Sequence, residues 1–378
     1  MPAHSGETEV SMACFFITTS YIHNSVPNYF RALAGELARR DHRVVVIVAD
    51  QRTDAVDRDS NPSILTWPSP RPTKWRDAVF LHSLLKKHRP DCIIGNFGAV
   101  NLCLTIGRIC GVPSRIAWYH SIARALDTDS TLPEWKRSFL KLRKRWVYKL
   151  ATRIIANSAA AAKDIQKVYG VPAGKCLSLP CLIPEPLARN SGENQDKLVC
   201  VGRLYRSKGQ ATLIRAAKRI RESAPNTTIE FIGDGPERQN YEALAATLGV
   251  ADCCRFVGAL PFSEVLIRMA SATVSVTTSR NEALGMVSVE AQSVGTPVVA
   301  SAVDGIIEVV IDGETGFLAQ PDDPDDFAEK ILALLKNPEM RSRFGMRARE
   351  HFEATFSNKN IARHAEILEQ LAGADGKP

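Results

Sequence analysis

No apolar run in this 378-residue chain reaches the roughly 18–20 residues that a bilayer-spanning helix needs. The apolar run at 13–17 is too short for the core of a secretory signal, and residues 1–11 ahead of it are mostly polar. Both absences predict a cytoplasmic protein. The nine cysteines are odd in number and contain no C-x-x-C pair. Cys253 and Cys254 are adjacent, but no His or Cys spacing near them suits zinc. Reduced, mostly buried thiols are expected rather than a disulfide framework. There is no G-x-S-x-G elbow, no Walker loop and no strand-bound G-x-G-x-x-G, which weakens hydrolase, NTPase and dinucleotide readings. D-x-D occurs as Asp57-Arg58-Asp59 and as Asp127-Thr128-Asp129, but neither follows an apolar strand. Both read as solvated loops, and no metal site is expected.

What is present is the composition of a soluble globular protein, 45% hydrophobic and 24% charged. The length suits two domains of roughly 150–200 residues each. Much of the net charge of +7 sits in the segment Lys136–Arg153, through Lys136, Arg137, Lys141, Arg143, Lys144, Arg145, Lys149 and Arg153. Trp135, Phe139, Leu142, Trp146 and Leu150 recur there at helical spacing, so the segment is a basic amphipathic helix. Two readings stand: an apolar side that enters the core beneath a solvated basic side, or a basic surface attracted to anionic lipid headgroups. Nucleic acid is disfavoured, because no aromatic stacking platform is interleaved with the charges.

Strand and helix signals alternate through both halves, which predicts parallel sheets covered by helices on both faces. Expected strands are Cys14–Thr18, Arg43–Val48, Ser63–Trp67, Cys92–Gly95, Ile116–Tyr119, Arg153–Ala156 and Cys176–Leu179. After the polar loop Ser20–Pro27, Asn28 is positioned to cap a helix that buries Phe30, Leu33, Ala34 and Leu37. The proline- and polar-rich stretch 184–197 has linker chemistry. Alternation restarts at Leu198–Val201, Thr228–Ile232, Arg255–Val257, Thr273–Thr277, Pro297–Ala300 and Gly316–Ala319, with helices at Pro324–Lys336, Glu339–Phe356 and Asn358–Leu371. The chain then divides into a first domain at 1–186, a linker at 187–197, a second domain at 198–356 and a terminal helix within 357–378.

Ligands of open parallel sheets bind outside the carboxyl ends of the strands. The strongest constellation there is Ser279–Glu290, where a loop carrying Glu282 leads through Gly285 into a helix. The free amides near Leu284, Gly285, Met286 and Val287 form a ready anion site, and Glu290 lies about one turn further in. A phosphate at the helix start with hydroxyls on a carboxylate is what a nucleotide-sugar presents, although two solvated glutamates would look the same by periodicity. In Val201–Gly209, Arg203 and Lys208 offer two cations on one loop, able to neutralise a diphosphate or to form a plain basic surface. Arg206 is a third cation there. Gly233–Pro236 is a tight turn between strand and helix. At Phe256 and Val257 a nucleobase could stack or pair with the backbone, or the strand could simply end buried. His120 ends a first-domain strand, and His23 and Asn24 occupy a comparable loop with weaker support.

Taken together, these segments resemble the family 4 glycosyltransferases. Glu282 and Glu290 form an E-x7-E pattern, followed by GTPVVAS at Gly295–Ser301, by DGIIEVV with Gly305 and Glu308, and by DGETGFL at Asp312–Leu318. VGRL…KG, GDGP, FVG and IIANS (Ile154–Ser158) are similar as well, and the motifs keep their order across most of residues 198–330. The resemblance implies an α/β GT-B fold, two Rossmann-like domains with parallel sheets facing each other across a cleft, and a last helix packed back on the first domain. It implies a retaining transferase moving a sugar from a nucleoside-diphosphate-sugar to a hydroxyl of a glycan, glycolipid or small glycoside. The donor is a substrate, and neither a cofactor nor a metal is implied. Catalytic roles fall on His120, Arg203, Lys208 and Glu282. Arg203 and Lys208 hold the diphosphate, Glu290 the ribose, and Glu282 with the Gly285–Val287 amides the sugar and phosphate. Gly233, Phe256 and Val257 complete the donor site, and a glycolipid acceptor would bring the protein to the inner face of the cell membrane. Two departures concern the first domain: Ser25-Val26-Pro27 stands where many members have Gly-Gly, and Leu179-Pro180-Cys181-Leu182-Ile183 where many have an Asn-Gly turn. A sugar-nucleotide epimerase of the same fold and a non-catalytic glycan- or partner-binding protein are the competing readings.

Overall fold

The computed structural model describes residues 12–20, 24–49, 60–130, 132–190 and 196–374. His23 and the Asp57–Asp59 motif lie outside them. Two sheets are built from parallel strands only. The first contains β1 (Cys14–Ser20), β2 (Arg43–Ala49), β3 (Ser63–Thr66), β4 (Cys92–Gly95), β5 (Ser114–Tyr119), β6 (Arg153–Ala156) and β7 (Cys176–Ser178), in the order β3-β2-β1-β4-β5-β6-β7. The second contains β8 (Lys197–Val201), β9 (Thr228–Ile232), β10 (Cys254–Gly258), β11 (Val274–Thr277), β12 (Val298–Ser301) and β13 (Gly316–Ala319), in the order β10-β9-β8-β11-β12-β13. Strand segments such as FFI and VVVIVA are apolar at consecutive positions because both faces of the first sheet are covered by helices.

The strand order reverses between β1 and β4 in one sheet and between β8 and β11 in the other. Chains leaving neighbouring strands there turn to opposite faces of the sheet and open a crevice at the carboxyl edge. From the first sheet, this crevice receives the start of α1 (Ser25–Arg39) and Asn96. From the second, it receives the loop after β8 and the start of α10 (Met286–Val294). The two edges face each other. Ser158 Oγ donates to the Ala283 carbonyl, and the amides of Ala159 and Ala160 donate to the Glu308 carboxylate at 2.8 and 2.7 Å.

The chain crosses between the lobes twice, side by side. Ile183 N–H donates to the Phe356 carbonyl (2.8 Å) and Asn358 N–H to the Ile183 carbonyl (2.9 Å). Beyond that point α13 (Ile361–Ala374) lies against α1. His364 Nδ1 meets the Tyr29 hydroxyl at 2.8 Å, and Arg40 pairs with Glu366 and Glu369 at 2.9 and 3.0 Å.

Three expectations need correction. Helix α1 starts at Ser25, not after Asn28, with Asn24 at the cap position. Pro27 fits the first turn, where its missing N–H costs nothing, so it does not hold the helix off. The basic helix α5 spans Glu134–Lys149, and Arg153 already opens β6. The apolar stripe of α5 also faces away from the core: Tyr148 is its buried residue, whereas Trp135, Phe139, Leu142 and Trp146 are exposed. Periodicity reports that a stripe exists, and only the packing decides which side of the helix meets the protein. Among the described residues no helix is long and apolar enough to cross a membrane.

Candidate active site

The loop after β8 is held in shape by backbone contacts. Gly202 N–H donates to the Ile232 carbonyl (2.9 Å), Leu204 N–H to the Asp234 carbonyl (3.0 Å) and Glu237 N–H to the Leu204 carbonyl (3.1 Å). The GDGP turn therefore buttresses the Arg203 loop. A Cβ on Gly233 would lie 2.1 Å from the Gly202 carbonyl oxygen, and one on Gly235 2.4 Å from that of Leu204. The Gly233 amide already donates to the Gly258 carbonyl (2.8 Å). Arg203 is exposed, with its guanidinium 4.7 Å over the Tyr205 ring. Arg206 instead pairs with Glu237 at 3.0 Å.

Lys208 leaves the same loop and forms an ion pair with Glu282, to which Ser279 Oγ also donates (3.1 Å). Glu282 comes from the loop after β11, the strand next to β8 across the reversal point. That loop is pinned by the Gly305 amide on the Glu282 carbonyl (3.0 Å), and a Cβ on Gly305 would sit 2.2 Å from the Ala283 carbonyl oxygen. Leu284 is buried. Gly285 then takes a left-handed conformation (φ 90°) and opens α10, leaving the Met286 and Val287 amides at its head without an acceptor inside the helix. Met286 itself packs against the cores of both lobes.

Glu290, one turn into α10, is buried and accepts a hydrogen bond from Ser25 Oγ at the start of α1. Burial pushes its carboxyl up from the ordinary 4.5 to about 7; the Ser25 bond pulls the other way, and the charge of Glu282 adds to the rise. From the opposite lobe, His120 follows β5 and stacks on Phe97, with ring centroids 4.9 Å apart. Asn96 donates its Nδ2 to the Thr18 carbonyl (2.7 Å), which turns its Oδ1 toward His120 Nε2 at 2.8 Å. An amide oxygen only accepts, so Nε2 carries the proton and Nδ1 is left as a lone-pair nitrogen. Nδ1 has no partner among the described residues, and burial lowers the imidazole pKa to about 3, so the ring is neutral.

His120, Arg203, Lys208 and Glu282 line one cavity of about 540 Å³ between the lobes, together with Asp129, Tyr205 and residues of α5. Arg203 also borders a second cavity of about 900 Å³ on the first lobe, walled by Asn24, Trp67, Arg71, Asn96 and Phe97. Asp127 and Asp129 are half-buried and each has a protein partner. Asp127 pairs with Lys141 (2.6 Å), and Asp129 clamps the opposing loop by accepting from Ser207 N–H (3.0 Å) and Oγ (2.6 Å). Both carboxylates thus have protein partners, and no group of three or more His, Cys, Asp or Glu gathers as metal ligands among the described residues. Phe256 stacks on Phe231 (4.9 Å) and its carbonyl accepts from Arg238 (3.0 Å), while Val257 packs on the second-lobe core. Both residues are half-buried. Asn96, Ser25 and Asp129 are the site residues that sequence reasoning passed over. Ser25 and Asp129 stood inside noticed motifs, and Asn96 was findable as the first residue after a strand at the reversal point.

Two Rossmann-like lobes with apposed carboxyl edges, and cations, a helix start and carboxylates in the cleft between them, define the GT-B class. The model described as Glycosyltransferase Family 4 matches residues 26–184, and that described as Glycosyl transferases group 1 matches residues 186–351. The chain belongs to the family 4 glycosyltransferases. The D-inositol 3-phosphate glycosyltransferase of Kribbella flavida is 34% identical over 61% of this chain and 60% of its own. That of Thermobifida fusca is 33% identical over 53% and 51%. The chain spans about half to three-fifths of the length of these curated relatives. Among solved structures, a sucrose-phosphate synthase from Thermosynechococcus elongatus shares the fold at a TM-score of 0.80 and 22% identity, covering 96% of this chain and 100% of that one. HepE from Anabaena, solved with UDP and glucose, shares it at 0.76 and 18%, covering 95% and 100%.

Proposed function

We propose that the protein transfers a glycosyl group from a nucleoside-diphosphate-sugar to a hydroxyl of a glycan, glycolipid or small glycoside, with retention of anomeric configuration. One observation carries this reading: two cations, a carboxylate and a neutral histidine, drawn from both lobes, line a single cavity. Arg203 and Lys208 would bind the diphosphate and stabilise it as negative charge develops on departure. The α10 amides suit a phosphate, and the Glu290 carboxylate suits a pair of ribose hydroxyls. Glu282, fixed by Lys208 and Ser279, shares the cavity with His120 and is placed to accept a hydrogen bond from a sugar hydroxyl.

In this scheme the acceptor attacks on the face the diphosphate leaves, and the departing phosphate oxygen takes the acceptor proton. The protein then has to position and neutralise, and needs no nucleophile of its own. A donor of this class fits a cytoplasmic setting.

The test is a thermal-shift screen against UDP-, GDP-, ADP- and TDP-sugars, since a ligand that binds only the folded state raises its melting temperature. UDP-sugars come first because the HepE structures hold UDP and UDP-glucose. One nucleotide class should stabilise the wild type and fail on Lys208→Ala and Glu290→Ala. Full response in both variants would refute the assignment.

A further inference from the structure

Helix α5 is mounted inside out. Trp135, Phe139, Leu142 and Trp146 follow one another at spacings of four, three and four, which places them on one stripe. They are 68, 62, 54 and 62% exposed, and Leu132 just ahead of the helix is 43% exposed. Helical geometry sets Lys136 and Arg143 along one border of the stripe and Arg145 and Lys149 along the other. Lys136 Nζ stands 5.2 Å over the Trp135 ring and Lys149 Nζ 4.0 Å over that of Trp146. Within the helix seven Lys and Arg face a single acid, Glu134. The opposite face carries Arg137, Leu140, Lys141 and Lys144, which line the 540 Å³ cavity together with His120 and Lys208, and Arg143 at the edge of the stripe reaches that cavity as well.

An apolar stripe wide enough for two indoles, edged by cations on both sides, fits a surface that is itself apolar below and negative above. An anionic bilayer has that layering, and tryptophan favours its headgroup boundary. A second copy meeting stripe to stripe would bring two rows of cations together. Nucleic acid would satisfy the cations and leave the stripe in water.

We propose that the outer face of α5 docks this protein on an anionic lipid bilayer, the stripe entering the headgroup boundary and the flanking cations meeting lipid phosphates. Docked this way, a single helix separates the bilayer from the cavity, and a lipid-borne acceptor has the shortest path to it. That last step rests on the transferase reading, whereas the docking does not.

The full chain is sedimented with vesicles of equal parts phosphatidylglycerol and phosphatidylcholine, and with phosphatidylcholine alone, at low and at high salt. Anionic vesicles should bind at least about tenfold more protein than neutral ones at low salt, and salt should reduce the difference. Phe139→Ser with Trp146→Ser, and separately Lys136→Glu with Lys149→Glu, should each lower binding about tenfold or more. All four side chains are exposed, so the melting temperature without ligand should not move. Equal binding to both vesicle types, or unaltered binding by both variants, overturns the proposal. So does light scattering that shows a dimer which the stripe variant dissociates. The nucleotide-sugar screen on the same samples keeps the two readings apart: its failure with docking intact sinks the donor site and leaves the docking surface standing.

Discussion

Replacing Glu290 by glutamine should make the empty protein more stable at alkaline pH while crippling donor binding. The carboxyl is buried, faces Ser25 from the other lobe, and titrates at about 7 where an unburied glutamate titrates at 4.5. Below pH 4.5 the carboxyl is protonated in both folded and unfolded chains, and burial carries no penalty. Between 4.5 and about 7 the unfolded chain ionises first, and the folded state loses stability with rising pH. Above neutrality the loss levels off at about 3 kcal/mol, from 1.36 kcal/mol for each tenfold change in proton affinity. Glutamine keeps the shape and can still accept from Ser25 Oγ, but it never ionises. Urea unfolding of wild type and Glu290→Gln should therefore give matching midpoints near pH 4.5 and a variant ahead by up to about 3 kcal/mol at pH 8. Under the proposed assignment of Glu290 to the donor ribose, the same variant should bind donor about tenfold to a hundredfold more weakly, a charged acceptor being replaced by a neutral one. In the wild type, donor affinity should rise as pH climbs through about 7, since the ionised form accepts those bonds. A stability gap that does not change with pH, or a variant less stable at pH 8, would refute the assignment of a buried, costly carboxylate.

Lys208→Ala should lower turnover about a hundredfold to a thousandfold with the fold intact, measured as kcat on the donor found by the screen. His120→Asn should reduce turnover without removing any pH inflection between 5 and 8. The wild-type imidazole, with its pKa lowered to about 3, is already neutral there and gains charge only as pH falls toward that value. Gly233→Ala should cost about 2 kcal/mol or more and weaken donor binding without touching a charge, because a Cβ 2.1 Å from the Gly202 carbonyl oxygen displaces the Arg203 loop. Circular-dichroism melting alongside the donor shift checks both effects. A chelator should leave turnover unchanged, given that the Asp127 and Asp129 carboxylates are occupied by Lys141 and Ser207.

The chain by itself determined the layering of the fold and the local turns. Doubly covered parallel strands carry near-continuous apolar runs, so segments such as VVVIVA announced themselves, and the restart after the proline-rich stretch announced a second lobe. Glycines that permit a close backbone approach and cations on a loop after a strand are local features too, so the Arg203 loop, GDGP and the start of α10 could be read without coordinates. What needed the tertiary structure were relations between distant segments. Ser25 meets Glu290 across 265 residues, Asp129 grips Ser207 from the other lobe, and Asn96 fixes which nitrogen of His120 holds the proton. The outward stripe of α5 belongs with these. Helical spacing is the same whether a stripe faces protein or water, and only the surface against which the helix packs, here through Tyr148, selects between them.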